Sequence, residues 1–224
     1  NQQVRAAGGS ATLSVNGDYK EKPDVAVVVF GEDPYAEFQG DRPHLDFQSE
    51  DGLKLLNKFK SESIPVVAVF LSGRPMWVNP EINAADAFVA AWLPGTEGGG
   101  VADVLLRSAS DEIQHDFHGK LSFSWPRTAL QTAINLGDED YDPLFAYGYG
   151  LEYSDNGDLG VLSEDAGLGD RAQTQNKSFI KAGEPVLPWR LAMHDAAGAV
   201  QITTSKAVSA SGVLTMTAHD YKGQ

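Results

Sequence analysis

Three short apolar runs constrain the fold more than anything else in the sequence. Residues 24–30, 65–71 and 87–93 are dense in Val, Ala, Phe and Leu, and each stops abruptly: at Gly31, at Ser72-Gly73-Arg74-Pro75 and at Pro94-Gly95. Near-continuous apolar runs of that length suit parallel strands buried on both faces. Between the first two, Leu53, Leu55, Leu56 and Phe59 recur at helical spacing within residues 50–60, with lysines on the other side. Residues 80–85 read as a brief helix, and residues 100–107 as a helix entered through Gly98-Gly99-Gly100. Strand, helix, strand, short helix, strand, helix predicts an α/β fold, a parallel sheet wrapped by helices.

The remainder has a different character. Residues 11–15 alternate briefly, residues 76–78 extend the second strand loop, and residues 121–127 are strand-like. Residues 141–153 are aromatic and Gly-rich without a helical period, which predicts coil closing over the sheet. Polar turns then dominate until residues 199–204 and 212–219, whose Thr and Val alternation suits half-buried antiparallel strands. The expected organisation is an α/β domain over residues 1–153, then a linker and an incomplete β-rich domain over residues 154–224.

Charge and composition narrow the function. A net charge of −14 disfavours nonspecific binding to nucleic acid or anionic membrane. The absence of Cys excludes disulfides and thiol catalysis. No run approaches the ~18 apolar residues of a membrane span. There is no basic-plus-apolar leader, and the opening Asn1-Gln2-Gln3 without Met favours a piece of a longer protein.

Chemistry is concentrated where the first strand ends. The stretch Gly31-Glu32-Asp33-Pro34-Tyr35-Ala36-Glu37-Phe38-Gln39-Gly40-Asp41 sets acidic side chains among aromatics at a strand tip. Strand tips are where α/β folds place ligands. Physical reasoning favours a carboxylate here as a general acid without choosing among Glu32, Asp33 and Glu37. Glu32 and Asp41, at the loop's ends, suit structural roles with Arg42 and Arg74 as partners. Tyr35 and Phe38 could stack on a sugar, although aromatics beside a Pro turn more often pack.

This loop matches G-E-x-P-Y-x-E-x-x-G-D, and three more blocks follow in order. They are Leu71-Ser72-Gly73-Arg74-Pro75; Ala90-Ala91-Trp92-Leu93-Pro94-Gly95-Thr96-Glu97-Gly98-Gly99-Gly100-Val101-Ala102-Asp103; and Gly119-Lys120-Leu121 to Trp125-Pro126 with Tyr147-Gly148-Tyr149-Gly150-Leu151. Together they resemble the second domain of glycoside hydrolase family 3, of the exo-β-1,3/1,4-glucanase and β-glucosidase type. The resemblance implies a flavodoxin-like three-layer α/β sandwich followed by a partial β-sandwich, with Glu37 as the general acid/base. It also implies a retaining, exo-acting parent enzyme that releases glucose from non-reducing ends of β-glucans or β-glucosides. The nucleophile would be an Asp on a preceding (β/α)8-type barrel, itself needing ~250 residues, so none is expected in this chain. The chain alone should therefore be inactive, with its loop open to solvent. No cofactor or metal is implied, and the parent would be secreted, periplasmic or at the cell surface.

Two other classes remain open: a non-catalytic carbohydrate-binding or interaction module, and a flavodoxin-like nucleotide domain. The second lacks a phosphate motif, since Gly98-Gly99-Gly100 has neither G-x-G-x-x-G spacing nor a following Lys-Ser/Thr. Close helix–strand contact is the expected use of these glycines. His115, Asp116 and His118 form an H-x-x-H too sparse for a metal site. Trp125 and Trp189 are expected in the core, and there is no G-x-S-x-G nucleophile elbow.

Overall fold

The computed structural model describes residues 2–169 and, beyond them, strands within residues 180–218. The chain forms two compact units, Asn1–Leu168 and Gly169–Gln224.

The first unit is built on β1 (Ala26–Gly31), β2 (Val66–Leu71) and β3 (Ala87–Ala90), in that spatial order. All pair in parallel, from Ala26 opposite Val66 to Gly31 opposite Leu71, and from Val67 opposite Ala87 to Phe70 opposite Ala90. The three apolar runs thus form one parallel sheet, as their pattern predicts. Helix α1 (Gln2–Ala6) precedes the sheet; α2 (Asp51–Ser61) and α3 (Asn79–Ala84) make its crossovers; α4 (Gly98–Leu105) follows β3.

Local chemistry explains these elements. Helix α2 carries Asp51 in its first turn and Lys58 and Lys60 in its last, which complements the helix dipole. Its Leu56 and Phe59 are buried against Ala26, Val28, Val66 and Ala68. Burial of one such side chain contributes about 1.5–3 kcal/mol. Gly52 lies so close to Phe30 that a Cβ there would stand 2.6 Å from the ring's Cγ, so only Gly lets this helix sit down on β1. Pro80 opens α3, where its missing N–H costs nothing.

A second apolar cluster fills the space beneath the strand tips. Phe70, Met76, Val78 and Trp125 are buried, with Phe30, Phe47, Phe88, Trp92, Leu144 and Phe145 packed around them. The rings interlock at centroid separations of 5.5 Å for Phe30–Phe70 and 6.2 Å for Phe88–Trp125. Residues 141–153 do cover this cluster as coil: Trp125 N donates to Phe145 O and Leu144 N to Trp125 O. Residues 121–127 make that pairing through a single bridge rather than a regular strand. An extended stretch further on is pinned to α3, where Asn79 Nδ2 donates to Ser163 O at 2.8 Å and Asn83 Nδ2 to Leu162 O at 2.9 Å. Leu162 N returns a bond to Asn83 Oδ1.

The expectation of burial on both faces fails for the two edge strands, β1 and β3. In β3 Ala87 is exposed and Phe88, Val89 and Ala90 are only half-buried, and Leu93 of that run is 72% exposed. In β1 Ala26 and Val28 are buried, but Val27 is 52% and Val29 59% exposed. Position in the sheet is the reason. At the centre, Val69 on the same face as Val27 and Val29 is 2% exposed because strands flank it on both sides, whereas β1 and β3 are edge strands. Residues 11–15 form no strand, and Leu13 and Val15 are each 85% exposed.

In the second unit, β4 (Ile180–Lys181) pairs with β5 (Glu184–Pro185). Strand β6 (Trp189–Asp195) is flanked by β7 (Gly198–Ile202) and β8 (Val213–Ala218), both antiparallel to it. The two alternating segments near the C-terminus are therefore strands, but they meet through β6 rather than each other. Residues 203–204, 212 and 219 lie outside the described residues, as does the side chain of Trp189.

Candidate active-site loop

The parallel register brings the ends of β1 and β2 level, so the loops that follow them are neighbours. Glu32 N donates to Leu71 O at 2.9 Å and carries the ladder one residue past Gly31. Ala91 N bonds Phe70 O likewise beyond β3. Three strand ends thus present residues 32–41, 72–75 and 91–95 along one edge, the side on which α/β sheets bind ligands.

Within residues 32–41 the chain turns twice, with Gln39 N bonded to Ala36 O and Asp41 N to Phe38 O. Phe38 occupies the left-handed region at φ 66°, an uncommon conformation for a bulky residue. Glu37 precedes it and is exposed, as are Asp33 and Asp41. The loop is open to solvent, as expected. Tyr35 is 44% and Phe38 64% exposed.

Arg74 ties this loop to the next. Its Nε donates to Glu32 Oε1 at 3.1 Å, its Nη2 to the same oxygen, and its Nη1 to the Gly40 carbonyl at 2.6 Å. The guanidinium also lies over the Tyr35 ring, 4.8 Å from its centroid. Glu32 is nine-tenths buried, and its other oxygen, Oε2, has no hydrogen-bond partner among the described residues. Arg42 adds a longer approach, Nη1 to Glu32 Oε1 at 3.9 Å, and reaches Asp46 at 3.6 Å. Asp46 also takes His44 Nδ1. Ser72 Oγ donates to Arg74 O at 2.7 Å and shapes the turn that aims the arginine. Gly40 is buried against Tyr35; a Cβ there would come within 2.8 Å of the ring's Cγ.

Of the acids in the loop, then, Glu32 has its charge matched inside the fold, and Glu37 is presented outward. The pairing of Glu32 with Arg74 was legible from residue type. The bond from Arg74 to the Gly40 carbonyl was not, because a main-chain acceptor leaves no mark in the sequence. Asp41, the other acid given a structural role, is exposed and stands outside this network.

The remaining candidates separate from the loop. The glycines that open α4 make no close helix–strand contact: Gly98 and Gly100 have no atom within 4 Å of a Cβ position, and Gly99 meets only Gln3 of α1. The helix starts in open space beside α1, where Gln3 Nε2 donates to Gly99 O at 3.2 Å. Asp116 accepts from Phe117 N and Tyr153 N, while His118 stands 3.7 Å from Glu152. Among the described residues, no group of three His, Cys, Asp or Glu side chains is placed to hold a metal. Trp125 is in the core at 2% exposure. Glu81 in α3, absent from the sequence reading, is buried; desolvation raises its carboxyl to about 7, and the charge of Glu164 adds to the rise. No described helix is long and apolar enough to cross a membrane.

Comparison with known proteins gives this arrangement its context. Residues 2–153 match the glycosyl hydrolase family 3 C-terminal domain. The crystal structure of exo-1,3/1,4-beta-glucanase from a Pseudoalteromonas species is similar at a TM-score of 0.72 and 49% identity, covering 93% of this chain and 26% of that one. The periplasmic beta-glucosidase of Salmonella typhimurium is 31% identical over 157 residues, 60% of this chain and 20% of that protein. The xylan 1,4-beta-xylosidase of Xylanibacter ruminicola is 34% identical over 128 residues, 51% of this chain and 14% of that protein. The chain therefore spans about a quarter or less of the length of these relatives.

Proposed function

The chain belongs to glycosyl hydrolase family 3, and from that premise we propose that it supplies the acid/base half of a retaining, exo-acting β-glucosidase or β-glucanase. Glu37 is the acid/base. Its carboxyl protonates the glycosidic oxygen as the aglycone leaves, while a carboxylate from the rest of the parent protein attacks the anomeric carbon. In the second half-reaction the Glu37 carboxylate takes a proton from the water that releases the sugar. Retaining enzymes set two such carboxylates ~5–5.5 Å apart across the bond. The second carboxylate belongs to an N-terminal barrel in this reading, so the chain by itself binds glucose poorly and does not turn over.

The observation that carries the proposal is the contrast within one loop. Glu32 is buried and charge-matched by Arg74, and Glu37, five residues on, stands exposed at the strand-tip edge. An acid meant for catalysis must be reachable by substrate, and an acid meant for structure need not be. Asp33 and Asp41 are exposed as well, and place in the family motif selects Glu37 among the three. The similarity to a beta-glucanase and a beta-glucosidase supports a terminal β-D-glucosyl residue as substrate. Polymeric β-glucan does not cross a lipid membrane unaided, so we place the parent outside the cytoplasm.

The test is Glu37→Ala in the parent protein. Turnover should fall steeply on substrates with poor leaving groups, by about 10²–10⁴-fold, the usual worth of a general acid. On an activated aryl glucoside, whose first step needs no acid, azide should restore rate by attacking the glycosyl-enzyme directly, with a glycosyl azide as product. Near-wild-type activity of that variant on a natural glucan removes Glu37 from the role.

A further inference from the structure

The loop that carries Glu37 is held by very little apolar packing. Residues 33–39 are all exposed, and the internal bonds are two single turns. A carboxyl on such a loop would wander, and misplacement of a reacting group by about 1 Å costs about 100-fold in rate. Within this chain, one side chain reaches both ends of the loop. Arg74 donates twice to Glu32 Oε1, one residue beyond β1, and once to the Gly40 carbonyl, just before the loop exits. Its flat face lies on Tyr35 between those points.

We propose that Arg74 is a positioning residue for the reaction. By gripping both ends of the loop it fixes where Glu37 stands relative to the glycosidic oxygen. The inference rests on the acid/base reading of Glu37. The chemistry calls for arginine in particular. Three donors in a rigid plane satisfy a carboxylate and a carbonyl at once, and the same plane stacks on a ring. Lysine offers a point charge that can serve Glu32 but cannot hold Glu32, Gly40 and Tyr35 together.

The experiment uses the parent enzyme with Arg74→Met, Arg74→Lys and Glu37→Ala, and kcat/KM for two β-glucosides. Cleavage of 2,4-dinitrophenyl β-glucoside needs no protonation of the leaving group; cleavage of laminaribiose does. Loss of positioning should lower kcat/KM for laminaribiose about 100-fold and leave the dinitrophenyl substrate nearly unchanged, in the same direction as Glu37→Ala. Arg74→Lys should fall between wild type and Arg74→Met. Equal losses on both substrates would mean that Arg74 only supports the fold, and no loss would mean that it does nothing for the acid; either overturns the proposal. Removing Arg74 also strands the buried Glu32 charge, so the double variant Arg74→Met with Glu32→Gln is measured alongside. It should keep the substrate-selective loss, because Gly40 still lacks its donor, and wild-type selectivity in a folded double variant again overturns the proposal. If Glu37→Ala itself shows no dependence on the leaving group, the acid/base reading is what fails. If it does and both Arg74→Met variants do not, only the positioning role fails.

Discussion

Replacing Gly31 by Ala should cost the fold about 2–4 kcal/mol, far more than a methyl group usually does at a strand end. The new Cβ would lie 2.7 Å from Leu71 Cβ and 2.9 Å from the Leu71 carbonyl carbon, and nearer still to its oxygen. Main chain cannot rotate away as a side chain can, so the strands must part. That same carbonyl accepts the Glu32 N–H at 2.9 Å, and parting the strands removes the bond. Overpacking of this kind costs about 1–3 kcal/mol, and a lost hydrogen bond adds about 1 kcal/mol. Gly100→Ala is the contrasting substitution. A Cβ there meets nothing within 4 Å, and the residue lies inside α4, so the change should stabilise by about 0.5–1 kcal/mol. Urea titration of the chain, followed by tryptophan fluorescence, measures both. With a slope of about 1–3 kcal/mol per molar, Gly31→Ala should lower the midpoint by about 1–2 M. A Gly31→Ala midpoint indistinguishable from wild type, beside a raised one for Gly100→Ala, would refute the close-approach argument.

Two further outcomes are expected. Burial raises Glu81 from 4.5 to about 7 in the folded chain, so the unfolded chain releases its proton first. The stability that this group contributes is whole below about pH 4.5, declines as pH rises to 7, and is then lost, a difference of about 3 kcal/mol. Glu81→Gln should thus equal wild type at pH 4 and exceed it at pH 8 in urea titrations; parallel pH profiles would show that Glu81 ionises freely. Asn83→Ala removes bonds to Leu162 O, Leu162 N and Glu164 Oε1. It should destabilise by about 2–3 kcal/mol and speed limited proteolysis within residues 158–168, and an unchanged cleavage rate would show that this stretch is held by other means.

The parts of the molecule that the sequence foretold depend on local pattern. The Val-rich runs, the Leu and Phe spacing in α2 and the Pro at the start of α3 are each decided by neighbours in the chain, so periodicity finds them. Glu37 was singled out by its place in a motif, since residue type alone left Glu32 and Asp33 as equals. What escaped depends on partners distant in sequence. Val27 and Val29 look like core residues until the edge position of β1 is known. Strand β6 lacks the Thr and Val alternation of its neighbours, and is defined by pairing with both. Gly98, Gly99 and Gly100 read as a close-packing device, yet the surface they would have packed on is elsewhere. Glu81 reads as an ordinary helix-opening acid; its burial comes from the surrounding fold, and Glu164, 83 residues on, adds to its pKa rise.

The manner in which Arg74 holds the loop has an evolutionary consequence. It grips a side chain at one end, a main-chain carbonyl at the other and a ring between, and asks nothing of Asp33, Ala36 or Gln39. Those three exposed positions flank Glu37 and can be exchanged without slackening the grip. Under the proposed acid/base role of Glu37, a lineage can therefore alter what a sugar meets beside it, in size, charge or polarity, while Glu37 keeps its station. Divergence of preference among relatives would then be recorded in the middle of the loop, and its two ends would stay the same.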